Sequence, residues 1–208
     1  MRERGLVAGD LDDSKSAWSV ERRKLATGDH DGVVIVGGSR ILFDTDLDAW
    51  EEMTGRRPIQ LALPGTNPRS FLVRFAEETD FNGLVVVGVT PGIYFSDFVS
   101  AFPEFRTLQD YWQDESPAKR AGYRLGLIAS RYLAFLDDQY RLPTLIERID
   151  IPNRKGVNPP YMEVWKLSET FADRQTRMWP RLESDVFLRD HARSVWLFRD
   201  RGPPKPEV

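Results

Sequence analysis

Three short apolar runs punctuate the first half of the chain: "VVIV" (33–36), "PIQLAL" (58–63) and "GLVVVGV" (83–89). The first, a continuous β-branched run, suits a strand covered on both faces; 58–63 reads as a second strand and 83–89 as a third, buried strand. Between the first two, Asp44, Thr45 and Asp46 offer N-cap oxygens, Leu47, Trp50 and Met53 recur at helical spacing, and Gly55 marks a stop. Between the second and third, Asn67 and Pro68 give a cap and a first turn, and Phe71, Leu72, Phe75 and Ala76 form one apolar stripe. Strands alternating with helices at this interval predict parallel pairing through right-handed crossovers, hence an α/β layered sheet.

Beyond residue 92 the pattern turns helical and aromatic-rich. Leu125, Ile128, Ala129, Tyr132 and Leu136 make a stripe through 122–140, which reads as a helical covering segment. Tyr94, Phe95, Phe98, Phe102, Phe105, Tyr111 and Trp112 suit core and lid packing, with the lining of an acyl or sugar pocket as the alternative use. Residues 150–165 are loop by their Pro, Gly and Asn content, and a last helix is expected through 183–201 to Gly202. The "PPKPEV" that follows cannot join a central sheet, so the strand that should come next in an alternating fold is not found.

Length and composition narrow the class. A chain of 208 residues, 41% hydrophobic and 12% aromatic, can bury one sizeable core and is read as a single domain, 1–208. The 29 basic and 32 acidic residues are dispersed along the chain and sum to a net charge of -3, which leaves no basic stripe for nucleic acid. With no cysteine, thiolate catalysis, disulfides and cysteine-ligated metals are excluded; with two histidines, His30 and His191, one chain cannot build a site of several imidazoles. No window approaches the roughly 18 to 20 apolar residues of a spanning helix. There is no signal of oligomeric state, and neither Gly-x-Gly-x-x-Gly nor Gly-x-x-x-x-Gly-Lys occurs to mark a nucleotide cradle.

Open parallel sheets gather functional groups beyond the carboxyl ends of their strands. Three stretches fall there: Gly37, Gly38, Ser39 and Arg40; then Pro64, Gly65, Thr66 and Asn67; then Thr90, Pro91 and Gly92. Ser39 precedes Gly65 by 26 positions and Gly65 precedes Thr90 by 25, so each βα unit returns its loop to the same edge. Glycine before Ser39 permits a sharp turn that presents the serine hydroxyl and amide together, as a nucleophile needs. Gly65 offers a second amide, and Thr90 a hydroxyl, for the oxyanion of acyl transfer. Arg40 can orient an anionic substrate or pair with a nearby carboxylate. Asn67 with Pro68 reads as a helix cap. Asp44, Asp46 and Asp48 have the oxygen chemistry of a metal site, yet their place at a helix start gives them a sufficient electrostatic role, and no metal or other cofactor is expected.

The blocks "VVIVGGSR", "LALPGTNP" and "VVVGVTPG" resemble the SGNH (GDSL-like) hydrolase superfamily, in its divergent bacterial branch with a Gly-Ser-Ser-Arg-like first block. The resemblance covers 33–100, and more weakly the "DDSKSAWSVERRK" lead-in. It implies a three-layer, flavodoxin-like parallel sheet with helices on both faces, Ser39 as nucleophile, and an oxyanion hole from the amides of Ser39 and Gly65, with Gly38, Arg40 and Asn67 around them. Thr90 stands where the family carries asparagine; its hydroxyl is shorter and donates one hydrogen rather than two. The family's Asp-x-x-His pair, which follows a final strand, has no counterpart. His191 falls mid-helix near Asp185 and Asp190, and His30 precedes the first strand at the opposite end from the site. Relatives with this lead-in carry an N-terminal membrane anchor and belong to the cell envelope, so the chain is expected to be a piece clipped at both ends. The expectation is an esterase or acyltransferase site built on Ser39 but incomplete, acting on a small acylated substrate or glycan. The alternative is a non-catalytic domain that binds a partner or an acylated glycan through the same edge.

Overall fold

The computed structural model describes residues 11, 13–27, 31–95, 104–130, 132, 133, 142, 168–184, 186, 189 and 193. They form a mixed α/β arrangement. Strands β1 (Val33–Gly37), β2 (Ile59–Gln60) and β3 (Leu84–Gly88) make a parallel sheet in the order β2-β1-β3. Val33 to Gly37 pair residue for residue with Leu84 to Gly88, and Val34 and Ile35 pair with Ile59 and Gln60. Helices α1 (Lys15–Thr27), α2 (Ser39–Phe43), α3 (Leu47–Thr54), α4 (Arg69–Glu78), α5 (Pro91–Tyr94), α6 (Glu104–Asp114) and α7 (Pro117–Ser130) surround it. A hairpin of β4 (Ser168–Thr170) and β5 (Thr176–Met178) follows, then a single turn, α8 (Arg181–Ser184).

Alternation along β1 sends Val34 and Val36 to one face and Ile35 to the other, and all three are fully buried. On the Val34 side the core is built from Trp18 and Leu25 of α1, Phe71 and Phe75 of α4, Leu108 of α6, and Ile59, Leu61 and Leu63 around β2. Trp18 meets Phe71 edge to face at 6.0 Å and donates its indole N–H to the Leu61 carbonyl at 3.2 Å, so its polar tip is satisfied inside the core. Ser14 caps α1 by accepting from the Ala17 amide. From the same helix Arg22, 1% exposed, lies 4.6 Å from the Trp112 ring centre and 5.4 Å from that of Phe75; burial pulls its pKa down, against the charge of Glu78, and the ring faces add to the attraction. Glu115 is buried under Ser16 and Arg23, which ties α1 to the end of α6.

The helix between β1 and β2 forms as its residues dictate. Asp46 accepts from the amides of Asp48 and Ala49, and Gly55 ends α3 with φ 71°. The Ala49 amide above all, then that of Asp48, holds the Asp46 carboxyl below its usual range. Met53, placed on the apolar face by spacing, is 79% exposed, because α3 is held through Leu47 at its first turn.

Several expectations are corrected. β3 reads as a buried strand, yet Val85 to Val87 are half-buried and Leu84 is exposed, and no described strand lies on its outer side. β2 is shorter than the run 58–63, although the Leu61 and Leu63 amides carry the pairing on to the carbonyls of Ile35 and Gly37. α7 ends at Ser130 and leaves Leu125 and Ile128 exposed. The hairpin has no counterpart in the hydrophobic pattern. The loop of 150–165, Leu136 and nearly all of the helix expected through 183–201 lie outside the described residues.

The hairpin closes the free edge of β2. Residues Gln60 and Ala62 face away from β1, so their carbonyls and the Ala62 amide would be open to solvent or to another chain. Arg174, fully buried, donates to the carbonyls of Gln60 (2.8 Å) and Ala62 (2.9 Å) while gripping both oxygens of Asp13 at 2.6 and 2.8 Å. The Ala62 amide is taken by the Gln60 side chain. Arg174 reaches in from a left-handed turn (φ 63°), and Arg57 anchors the same turn through Asp173 and Gln175.

Candidate functional site

The sheet order reverses at β1: the chain leaves it for β2 on one side and returns across it to β3 on the other. The crevice beyond the carboxyl ends of β1 and β3 is where such sheets bind ligands. Three loops meet there.

Gly37 and Gly88, partners in register, end β1 and β3. Gly37 has φ 149°, and a Cβ on it would lie 2.8 Å from both the Gly88 carbonyl oxygen and Ile41 Cγ2. A Cβ on Gly88 would lie 2.7 Å from Ile41 Cβ. The glycine pair is therefore the seat of Ile41, and through it α2 rests directly on the strand ends. Gly38, extended, precedes α2; Ser39 is its first residue, with a half-buried side chain whose hydroxyl makes no hydrogen bond among the described residues.

The second loop comes within contact of the first. The Thr66 carbonyl oxygen lies 3.6 Å from where a Gly38 Cβ would stand. Gly65 turns the chain with φ 70° and is exposed, and the Thr66 hydroxyl is spent on the Leu63 carbonyl at 2.8 Å, which holds the turn closed. Neither the Ser39 nor the Gly65 amide donates to another backbone carbonyl among the described residues.

Asn67 joins the second loop to the third. Its side-chain oxygen accepts from the Arg69 amide at 3.1 Å, the capping role its sequence position implies. Its amide donates to the carbonyls of Ile93 (2.7 Å) and Tyr94 (3.3 Å), at the far end of α5. Asn67 is 5% exposed and committed at both ends, so it fixes where α5 and Thr90 sit. Thr90 is the N-cap residue of α5, yet its hydroxyl makes no cap bond; its carbonyl accepts from Ile93 and Tyr94 instead.

All six residues named from the sequence, Gly38, Ser39, Arg40, Gly65, Asn67 and Thr90, thus belong to loops or helix starts at one sheet edge. Arg40 is exposed and makes no ion pair among the described residues. Arg69, which the motif reading passed over, also stands at this edge, donating to the Tyr94 carbonyl at 3.3 Å. Its signal was its place two residues after Asn67. Val89, Ile93 and Phe95 add an exposed apolar strip along the third loop.

Other candidates resolve into structural roles. Asp46 caps α3 and Asp48 pairs with Arg57, and no group of three metal-ligating side chains occurs among the described residues. Tyr111 bonds to Ser16 and Trp112 packs against the core and Arg22, so this end of the aromatic stretch serves packing. Phe98 and Phe102 lie outside the described residues, as do both histidines.

The described residues define an α/β protein whose parallel sheet presents two hydroxyls, two amides and two guanidinium groups at its carboxyl edge. No family model matches the chain, and no curated protein or solved structure matches it. Among the described residues no helix is long and apolar enough to cross a membrane.

Proposed function

We propose that this chain is an SGNH-type hydrolase domain, a three-layer flavodoxin-like sheet whose carboxyl edge handles acyl esters of the cell envelope. The observation that carries the reading is the meeting of the three blocks: the Thr66 carbonyl against Gly38, and the Asn67 amide on the end of α5. The order β2-β1-β3 matches the start of a flavodoxin-like sheet. In this reading Ser39 Oγ attacks the acyl carbonyl and passes its proton to a base; the Ser39 and Gly65 amides, with the Thr90 hydroxyl, receive the charge that forms on the carbonyl oxygen; the alcohol then leaves, and water or a second alcohol takes the acyl group. Among the described residues no side chain is hydrogen-bonded to Ser39 Oγ to serve as that base.

A fluorophosphonate probe tests this. Labelling of Ser39 in the folded chain, abolished in Ser39→Ala together with ester hydrolysis, is the expected result; hydrolysis that persists unchanged in Ser39→Ala would remove the nucleophile from the scheme.

One observation favours a second reading, a non-catalytic domain that holds an acylated ligand at the same edge: the Ser39 hydroxyl has no partner among the described residues, and a serine without a base is a weak nucleophile. Saturable ligand binding without probe labelling distinguishes it.

A further inference from the structure

The arginines of residues 31–95 divide into two groups. Arg56 pairs with Asp31, Arg57 with Asp48, Glu51 and Asp173, and Arg74 with Glu78 and Asp110. Arg40 and Arg69 have no carboxylate partner among the described residues. The three paired arginines lie away from the strand ends, Arg56 and Arg57 ahead of β2 and Arg74 midway along α4, whereas Arg40 and Arg69 stand at the starts of α2 and α4, beside the first and second loops of the candidate site. Arg40 follows Ser39 directly, on a helix seated over Gly37 and Gly88. Arg69 opens α4, and its reach to the Tyr94 carbonyl sets it over the junction of the second and third loops, beside the Asn67 amide.

Two guanidinium groups without a carboxylate partner among the described residues, at the same sheet edge as the proposed nucleophile, favour an anion there although the chain's net charge is -3. A guanidinium presents a planar fork of donors that matches carboxylate and phosphate oxygens. The exposed Val89, Ile93 and Phe95 supply an apolar strip on the same edge. Together they select for a ligand that is apolar at one end and anionic at the other.

Resting on the proposed acyl-ester reading, we infer that Arg40 and Arg69 are specificity-determining residues for an ester that carries a carboxylate or phosphate on its alcohol part. The anion docks on the two guanidinium groups, and its carbonyl is thereby brought to Ser39. Arg69 spends one N–H on Tyr94 and keeps the rest of its fork for the ligand.

The test uses the full chain and a matched pair of fluorogenic esters, neutral 4-methylumbelliferyl butyrate and anionic 7-butyryloxycoumarin-3-carboxylate, together with anisotropy of the anionic product, 7-hydroxycoumarin-3-carboxylate. Wild type and Ser39→Ala are expected to bind that product saturably and in competition with inorganic phosphate. Arg40→Ala and Arg69→Ala each weaken binding about tenfold, the loss of one charge-assisted hydrogen bond, and lysine at either position restores part of it. Hydrolysis of the anionic ester falls by a similar factor in the alanine variants, and hydrolysis of the neutral ester falls by less. No saturable binding, or binding indifferent to both arginines, overturns the inference, as does an equal loss on the two esters. Arginine-dependent binding without hydrolysis of either ester keeps the anion site and sinks the esterase reading; Ser39-dependent hydrolysis with no preference for charge does the reverse.

Discussion

Arg174→Ala tests what holds the hairpin to the sheet. The side chain is fully buried and donates to Asp13 and to the carbonyls of Gln60 and Ala62. Removing it leaves two carbonyls on the edge of β2 without a donor, each at a cost of about 1–3 kcal/mol where water does not reach them. Asp13, with 24% of its side chain exposed, rehydrates readily and adds little. Against this stands the recovered hydration of a buried guanidinium, so the net loss is about 3 kcal/mol. For a chain of this size that lowers Tm by roughly 6–12 °C. Urea unfolding followed by tryptophan fluorescence reads the change, since Trp18 sits in the core that β2 borders. Arg174→Lys should recover less than half, because one ammonium cannot serve a carboxylate and two carbonyls in the fork geometry. In Asp13→Ala/Arg174→Ala the loss should not exceed that of the single arginine variant. A loss under about 1 kcal/mol in Arg174→Ala, with hydrogen exchange at Gln60 and Ala62 unchanged, would refute the reasoning: the edge would then be held by something other than this side chain.

Two further outcomes are expected. Gly88→Ala drives a methyl group to 2.7 Å from Ile41 Cβ and lifts α2 from the strand end, costing about 1–3 kcal/mol and slowing fluorophosphonate labelling of Ser39; Gly88→Ala with Ile41→Ala should recover labelling, and a Gly88→Ala chain that labels at the wild-type rate contradicts the seat. Burial raises the pKa of Glu21, only partly countered by Lys24, so the folded state binds the proton more tightly than the unfolded chain. Stability therefore falls as pH rises from about 4.5 through the folded pKa, and Glu21→Gln should match wild type below that window and exceed it above; a constant difference across pH would contradict this.

The local elements of residues 33–88 were legible because their determinants are local. The β-branched runs make strands, Asp46 supplies a cap, and Gly55 gives the left-handed stop, all within a few residues of where they act. The loops after the strands were legible for a topological reason: the nearly equal intervals of 26 residues from Ser39 to Gly65 and 25 from Gly65 to Thr90 return each loop to one edge of a parallel sheet. The hairpin was not legible. Its strands are three residues each, Ser168–Thr170 and Thr176–Met178, with Thr170 and Thr176 buried and no apolar alternation, so its turn is fixed by Arg174 and Asp173 reaching residues more than 100 positions away.

What the sequence determined by itself is the three parallel strands, the helices α3 and α4 between them, and with these the gathering of Gly38, Ser39, Arg40, Gly65, Asn67 and Thr90 at one edge. Only the tertiary structure decided how far each described strand is covered. Val85 to Val87 read as a covered strand because apolar periodicity records that a residue is suited to burial, whereas burial itself depends on whether another element arrives, and on β3 no described strand does. The same holds for charge. Arg57 and Arg69 are alike in sequence, and their difference, one held among three carboxylates and the other left with a single carbonyl, comes from what the fold brings beside each. Contacts across long stretches of chain set the partner of every side chain, and so decide which of the chemically equivalent groups remain available to a ligand.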